Sequence, residues 1–219
     1  MIKIKGTFSL IIALIIAISA SCLAFANGHG MHKGRIYDCC KATSLTGPIS
    51  KVGVKVTEEG EDYWYGQIIL FDRNGNIMYR GKPASEKNTA KDMLYGGPEG
   101  VSQAEALCDI DMDGCMEIVI AGPKSDVSPQ EFTVLRWEDG DLKKVKTGYL
   151  TVTGKKANWT STPDDNKGWV TSVKSKNGKL FGSVLSIADG NFSGFEATLQ
   201  PNPGRIDDGF KLTDIKKLH

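Results

Sequence analysis

The chain has 219 residues, a formal net charge of +1, and charged side chains at 24% of its positions. That length suits one domain with a full hydrophobic core. The nearly balanced charge argues against a basic nucleic-acid-binding surface and against a polybasic membrane patch. We therefore expect no nucleic-acid partner.

The first 26 residues have the pattern of a secretory signal peptide. Lys3 and Lys5 form a basic start, an uncharged run covers residues 8–20, and Ala24-Phe25-Ala26 is a small-x-small cleavage site. Cleavage after Ala26 leaves 193 residues and changes the formal charge to −1. This pattern predicts a secreted or periplasmic protein.

Two other interpretations of the same segment stay open. Ser19-Ala20-Ser21-Cys22 resembles a bacterial lipobox, with Ser at the third position where Leu is usual. In that case Cys22 would be lipidated and would anchor the protein to a membrane. The uncharged residues 8–26 are also barely long enough for an uncleaved anchor.

Residues 27–51 are rich in Gly, Ser and Thr and show weak periodicity, which predicts a loosely ordered N-terminal segment. Residues 52–219 predict a single β-rich domain. Residues 52–57 alternate apolar and polar side chains, and residues 63–71 are aromatic and β-branched. Asn74-Gly75 then predicts a hairpin turn into residues 77–79.

The same strand–turn–strand pattern recurs twice further along the chain, around Gly140 and around Gly178. Helix signals are sparse. Residues 85–94 predict a short helix capped by Ser85, and residues 102–107 predict one further helical turn. The fold class is therefore mostly β, built from antiparallel hairpins.

Four cysteines follow the predicted cleavage site: Cys39, Cys40, Cys108 and Cys115. An even number in an oxidising compartment indicates up to two disulfides, with three possible connectivities. Because a Cys39–Cys40 bridge would be strained, we expect one or both of this pair to bond Cys108 or Cys115. Free, buried thiols are the alternative.

The sharpest chemical signal is the acidic loop at residues 109–117. Carboxylates stand at loop positions 1, 3, 5 and 9, and Gly114 at position 6 permits a sharp turn. Ca²⁺ takes six to eight oxygen ligands at about 2.3–2.6 Å. The predicted calcium ligands are Asp109, Asp111, Asp113, the backbone carbonyl of Cys115, and Glu117.

Between these ligands, Ile110 and Met112 are expected to face away from the ion and into the fold. Position 12 of the loop is Ile120, where an EF-hand requires Glu, and residues 118–121 predict a strand instead of a helix. An EF-hand is therefore not expected.

The pattern D-x-D-x-D-G-x-x-[DE] followed at once by an apolar strand resembles the FG-GAP/VCBS repeat. This repeat is the unit of integrin-type β-propellers and of many bacterial surface proteins. The resemblance covers residues 105–146 and departs at Glu117, where the family usually has Asp. It implies a structural calcium ion in a small or partial β-propeller-like domain, because 193 residues cannot form seven blades. A β-sandwich with one calcium loop is the alternative fold.

The histidines, His29, His32 and His219, all lie near the ends of the chain. The β-rich body therefore cannot carry a Ser-His-Asp or Cys-His mechanism. We expect an exported, non-enzymatic binding or surface module with a protein or glycan partner outside the cytoplasm. The alternative is an enzyme or enzyme accessory that uses carboxylates or the loop-bound metal.

A minor alternative concerns the N-terminus that cleavage after Ala26 would create. Asn27-Gly28-His29 would offer a free amine, two amides and an imidazole. Four nitrogens in one plane are the ligand set that Cu(II) and Ni(II) prefer. The sequence therefore also allows copper or nickel binding at the mature terminus.

Overall fold

The computed structural model describes residues 31–43, 47–87, 94–98, 100–123, 129–163, 167–188 and 191–218. Within these ranges the regular elements are β-strands, and every strand pair is antiparallel. The predicted mostly β, antiparallel fold class is confirmed. The described strands form a closed barrel and a curled sheet, and they do not show the blades of a propeller.

The strands divide between two sheets. The first sheet contains β1 (Ile36–Lys41), β2 (Lys51–Glu59), β3 (Trp64–Phe71), β4 (Ile77–Arg80), β5 (Leu94–Gly97) and β6 (Gly100–Val101). The second contains β7 (Gln103–Cys108), β8 (Met116–Ala121), β9 (Glu131–Glu138), β10 (Asp141–Thr153), β11 (Lys156–Thr160), β12 (Gly168–Lys176), β13 (Lys179–Ala188), β14 (Asn191–Asn202) and β15 (Arg205–Lys217).

The first sheet is a curled half-barrel with the order β1-β2-β3-β5-β6, and β4 also pairs with β3. Its strand β1 comes from the N-terminal segment in which the sequence shows weak periodicity. The concave face buries a cluster that includes Val54, Trp64 and Leu94. The Asn74-Gly75 turn joins β3 to β4 as predicted, and Gly75 has a φ of +81°.

The second sheet closes into a six-stranded barrel. Its order is β11-β15-β14-β13-β12-β10, and β11 pairs back onto β10. The long strand β10 pairs with β9 through residues 141–149, and with β11 and β12 near its C-terminal end. The barrel therefore continues, through β9, into the open strands β8 and β7.

These three strands, β7–β9, form a shared wall between two hydrophobic clusters. Strand β8 is buried at every position. Because side chains alternate between the two faces of a strand, Ile118 packs into the half-barrel cluster and Val119 into the barrel cluster. Because both faces of β8 are buried, residues 118–121 are all apolar.

Two further predicted hairpins are confirmed by tight turns with positive φ at both central residues. Asp139 and Gly140 join β9 to β10 with φ values of 54° and 80°. Asn177 and Gly178 join β12 to β13 with φ values of 51° and 71°. These signs match a two-residue turn that follows the natural twist of the strands.

The helical prediction for residues 102–107 was wrong, because Gln103–Cys108 is strand β7. Pairing with β8 and burial of Ala104 and Ala106 outweigh the weak local helix preference. The predicted helix at residues 85–94 lies mostly outside the described residues, and Leu94 begins β5.

The signal-peptide, lipobox and anchor predictions concern residues 1–26, which lie outside the described residues, as does the Asn27-Gly28-His29 terminus. Among the residues that are described, no helix is long and apolar enough to cross a membrane.

Replacing Ile118 by Ala should destabilise both clusters together, since this residue belongs to the shared wall. Ile118 is 0% exposed, so we expect a loss of about 2–5 kcal/mol in the free energy of unfolding. The matched control is Ile215→Ala, at a side chain that is 44% exposed, with a change within about 0.5 kcal/mol. Urea denaturation followed by tryptophan fluorescence measures both, and two separate transitions would contradict the shared wall.

Candidate metal centre

The acidic loop connects β7 to β8 and folds around the side chain of Asp109. The two carboxylate oxygens of Asp109 accept hydrogen bonds from the backbone N–H groups of Asp113 and Gly114, each at 3.1 Å. Gly114 has a φ of 92°, so the predicted sharp turn is present at this position. Met112 also has a positive φ, 60°.

Three of the predicted ligands converge in space. Asp109, Asp111 and Glu117 each offer a carboxylate oxygen within 4.8 Å of the other two. Asp111 and Glu117 are 0% exposed. Within the described part of the chain, the Oδ1 atom of Asp111 is buried and has no hydrogen-bond partner. An orphaned carboxylate oxygen is costly in a protein interior, so this atom is a candidate position for binding a cation.

A residue that sequence reasoning missed lies against the same carboxylates. Arg136 places Nη2 at 2.6 Å from Asp111 Oδ2, Nη1 at 2.8 Å from Asp113 Oδ2, and Nε at 2.9 Å from Glu117 Oε1. Its planar guanidinium presents donors in a fixed fork that suits several carboxylates at once.

Arg136 reaches the loop because β9 pairs with β8. In the register of this pair, Arg136 lies directly opposite Glu117. A signal for this was present in the sequence. Arg136 is the single charged residue within residues 132–137, a predicted strand that follows the loop strand at hairpin distance.

The remaining predicted ligands have other positions. Asp113 directs Oδ2 at Arg136 and accepts a hydrogen bond from Cys115 N–H at its Oδ1, and it lies outside the three-carboxylate group. Cys115, whose carbonyl was the other predicted ligand, is not one of the three residues of that group. Ile110 is buried in the barrel cluster as predicted.

The prediction for Met112 was wrong, because this side chain is 70% exposed. Its backbone turns the loop outward with positive φ, so the side chain points away from the core. It lines a cavity of about 330 Å³ at one end of the barrel, together with Ile110, Leu180 and Leu199.

The site carries excess negative charge. Four carboxylates and one guanidinium leave three negative charges uncompensated. Burial raises the pKa of Glu117 to about 7, and the neighbouring Asp111 adds to this. The Ile110 N–H, at 2.8 Å from Oε2, and Arg136 act in the opposite direction. The loop therefore favours either a proton or an additional cation.

Backbone contacts tie the loop to the barrel. The carbonyl of Asp111 accepts a hydrogen bond of 2.9 Å from the N–H of Gly204, which lies in the turn between β14 and β15. Ile110 packs into the barrel cluster beside this contact. An ion at Asp111 would therefore order both the loop and its attachment to the barrel.

Cys39, Cys40, Cys108 and Cys115 are free thiols in this structure. Burial raises the pKa of Cys39 and of Cys108 to about 12, and that of Cys115 is also raised, chiefly by burial. Thiolate is the form that attacks a disulfide, so these groups are poor nucleophiles near neutral pH. A disulfide between these cysteines stays a prediction.

Comparisons of the chain with family models, with curated proteins and with solved structures found no match. The functional proposal therefore depends on the site itself. The site offers only oxygen atoms as metal ligands, is largely buried, and already contains one positive charge, the guanidinium of Arg136.

Without calcium, the free energy of unfolding should fall as pH rises from about 4.5 to about 7. The pKa of Glu117 is about 7 in the folded protein and 4.5 in the unfolded chain, so the folded state binds this proton more tightly. The stabilisation is complete below pH 4.5 and is lost as pH passes through 7, with an upper limit of about 3 kcal/mol. Urea denaturation in calcium-free buffer across this range measures the slope.

Glu117→Gln should remove that slope, although it also lowers stability at every pH by exchanging one acceptor oxygen for a donor. Glu61→Gln, at an exposed position, should keep the slope. A slope that survives in Glu117→Gln would assign the titration to a different group.

Proposed function

We propose that this protein is an exported, non-enzymatic binding module in which the loop at residues 109–117 holds a structural calcium ion. The observation that carries the proposal is the buried, unpartnered Oδ1 of Asp111 inside a group of three carboxylates. Arg136 occupies the other oxygen of Asp111 and leaves this one free for a cation.

The donor set favours calcium over softer metals. Asp109, Asp111 and Glu117 supply oxygen only, and hard cations prefer oxygen ligands. Ca²⁺ tolerates an irregular sphere completed by water and backbone carbonyls, whereas Mg²⁺ demands near-octahedral geometry.

Burial supports a structural role. Asp111 and Glu117 are fully buried, and Arg136 is 20% exposed. A catalytic metal needs an open position for substrate, whereas a structural one is enclosed. The ion would neutralise two of the three excess negative charges and fix the loop between the shared wall and the barrel.

The resemblance of residues 105–146 to the FG-GAP/VCBS repeat supports the same assignment. That repeat pairs an acidic calcium loop with a following apolar strand, and β8 follows the loop here. The signal-peptide pattern supports a location outside the cytoplasm. The partner in this proposal is a protein or a glycan in that compartment.

Calcium at millimolar concentration should raise the melting temperature of the protein by several degrees. A free calcium concentration of about a hundred times the dissociation constant raises the free energy of unfolding by about 2.7 kcal/mol. Asp111→Asn should abolish the shift, since the amide cannot replace the charged Oδ1. Asp62→Asn, at an exposed position far from the loop in sequence, is the charge-matched control and should retain it. Differential scanning calorimetry with calcium or with a chelator measures the shift, and its absence in the native protein would contradict the proposal.

Replacing Arg136 by Gln should make the fold more dependent on calcium. Removing the guanidinium leaves Asp111 and Glu117 buried without their partner, which costs about 3–5 kcal/mol in the metal-free protein. Calcium should recover part of this loss, because it supplies the positive charge. Chemical denaturation with and without calcium gives both values. If Arg136→Gln lowers the free energy of unfolding by the same amount with and without calcium, Arg136 and calcium do not act on the same charges.

A further inference from the structure

A groove of about 470 Å³ lies on the outer face of the barrel, across β10, β11, β15 and β14. Its volume is within the range of small-molecule binding sites. Three ammonium groups and three amide side chains line it: Lys155, Lys156, Lys211, Asn158, Gln200 and Asn202. We call this feature the lysine groove.

In the middle of the lysine groove, the register of the strands places four side chains in one row. Thr153 lies opposite Lys156, Lys156 opposite Lys211, and Lys211 opposite Gln200. Directly opposed residues of antiparallel strands point to the same face of the sheet. A hydroxyl, two ammonium groups and an amide therefore stand side by side over four adjacent strands.

The pair at the centre of this row is a like-charge pair. Directly opposed residues have Cβ atoms about 4.5–5.5 Å apart, and two side chains of like charge in such a pair destabilise a sheet. Lys155, Lys156 and Lys211 have no ion-pair partner among the residues that the structure describes.

A second like-charge pair elsewhere in the fold shows the contrast. Arg136 and Lys143 are also opposed, in the β9–β10 ladder. There, acidic side chains neutralise both cations: the loop carboxylates bind Arg136, and Glu138 and Asp139 bind Lys143. The lysine groove lacks that internal compensation, which an anionic ligand would supply.

The groove is fixed by an irregular stretch of β15. Between the pairs Asn202–Arg205 and Pro201–Phe210, residues 206–209 bulge away from β14. The indole N–H of Trp159 donates to the carbonyl of Ile206 at 2.9 Å and holds this bulge in place. Such bulges redirect side chains next to binding sites.

Gly209 lets the bulge approach β11 closely. Its φ is +89°, and an added Cβ would lie 2.5 Å from the carbonyl oxygen of Ala157. Only glycine fits this backbone without displacing β11. The groove is therefore a preformed feature of the barrel.

One acidic residue, Asp208, also lines the groove. Its carboxylate is held by Arg205, with Nε at 2.9 Å from Oδ2 and Nη2 at 3.2 Å from Oδ1. Since both of its oxygens contact Arg205, its charge is compensated there, and the three lysines keep their excess positive charge.

We propose that the lysine groove binds an acidic sugar, through a carboxylate or sulfate group on the sugar. The ammonium groups of Lys156 and Lys211 hold the oxyanion between them, and Lys155 adds charge from the neighbouring turn. Asn158, Gln200 and Asn202 offer both donors and acceptors, which suits the hydroxyl groups of a sugar ring. This inference goes beyond the calcium site and shares no residue with the loop at 109–117.

The test titrates the full chain in calcium-free buffer with trigalacturonate, with neutral galactotriose and with inorganic sulfate. Backbone amide shifts in two-dimensional NMR report where each probe binds. We expect trigalacturonate to shift the amides of residues 153–158, 200–202 and 208–211. Its affinity should fall at least fivefold between 20 and 200 mM sodium chloride, because salt screens exposed charges. Galactotriose should bind far more weakly.

The double variant Lys156→Gln/Lys211→Gln should bind trigalacturonate about tenfold more weakly, since two exposed charge contacts are removed. Its charge-matched control is Lys41→Gln/Lys144→Gln, at exposed positions outside the groove, which should bind like the native protein. Removing the like-charge contact should leave the double variant at least as stable as the native protein, so a loss of binding reports on the groove and not on folding.

Sulfate distinguishes the two sources of the oxyanion. If trigalacturonate binds more tightly than sulfate, the sugar hydroxyls contribute and the proposal is supported in full. If sulfate binds equally well, the site recognises a free oxyanion, and the sugar part of the proposal is overturned. No shift with either anion, or equal affinity in the native protein and the Lys156→Gln/Lys211→Gln variant, overturns the whole proposal. None of these results depends on calcium binding.

Discussion

Two fully buried carboxylates, Asp111 and Glu117, share one guanidinium, that of Arg136, and the rest of the acidic loop is arranged around this contact. A buried carboxylate is tolerated only when its charge is compensated. Arg136 compensates one charge of four. Asp111 keeps one buried oxygen without a hydrogen-bond partner. Burial, and secondarily the charge of Asp111, raises the pKa of Glu117 to about 7.

This contact lies where the shared wall meets the acidic loop and the barrel. Glu117 lies on strand β8 of the shared wall, and Arg136 lies opposite it on strand β9. The carbonyl of Asp111 accepts a hydrogen bond from the β14–β15 turn of the barrel. A cation in the loop would thus stiffen the junction between the half-barrel and the barrel. The lysine groove, on the outer face of the barrel, is positively charged, whereas the loop is negatively charged. Its shape depends on Gly209, which lets β15 approach β11 closely.

Local patterns in the sequence predict local structure well here. Asn74-Gly75, Asp139-Gly140 and Asn177-Gly178 each form the predicted hairpin. The positive φ of Asp139, Asn177 and the three glycines is a local property of these residue types, so it can be predicted from a few residues alone. The loop turn at Gly114 follows for the same reason. Closure of the barrel could not be predicted, since it depends on β11 pairing with strands on both sides. Arg136 was missed because its role requires the β8–β9 register, and Met112 was misplaced because one positive φ reverses its direction.

A crystal structure of the protein grown in calcium would show whether the acidic loop holds an ion. We expect anomalous density for one ion, at about 2.3–2.6 Å from oxygens of Asp109, Glu117 and the Oδ1 of Asp111. Arg136 should remain on Asp113 and on the second oxygen of Asp111. A loop without density at millimolar calcium, with a water molecule hydrogen-bonded to that Oδ1, would show that the loop is not a calcium site.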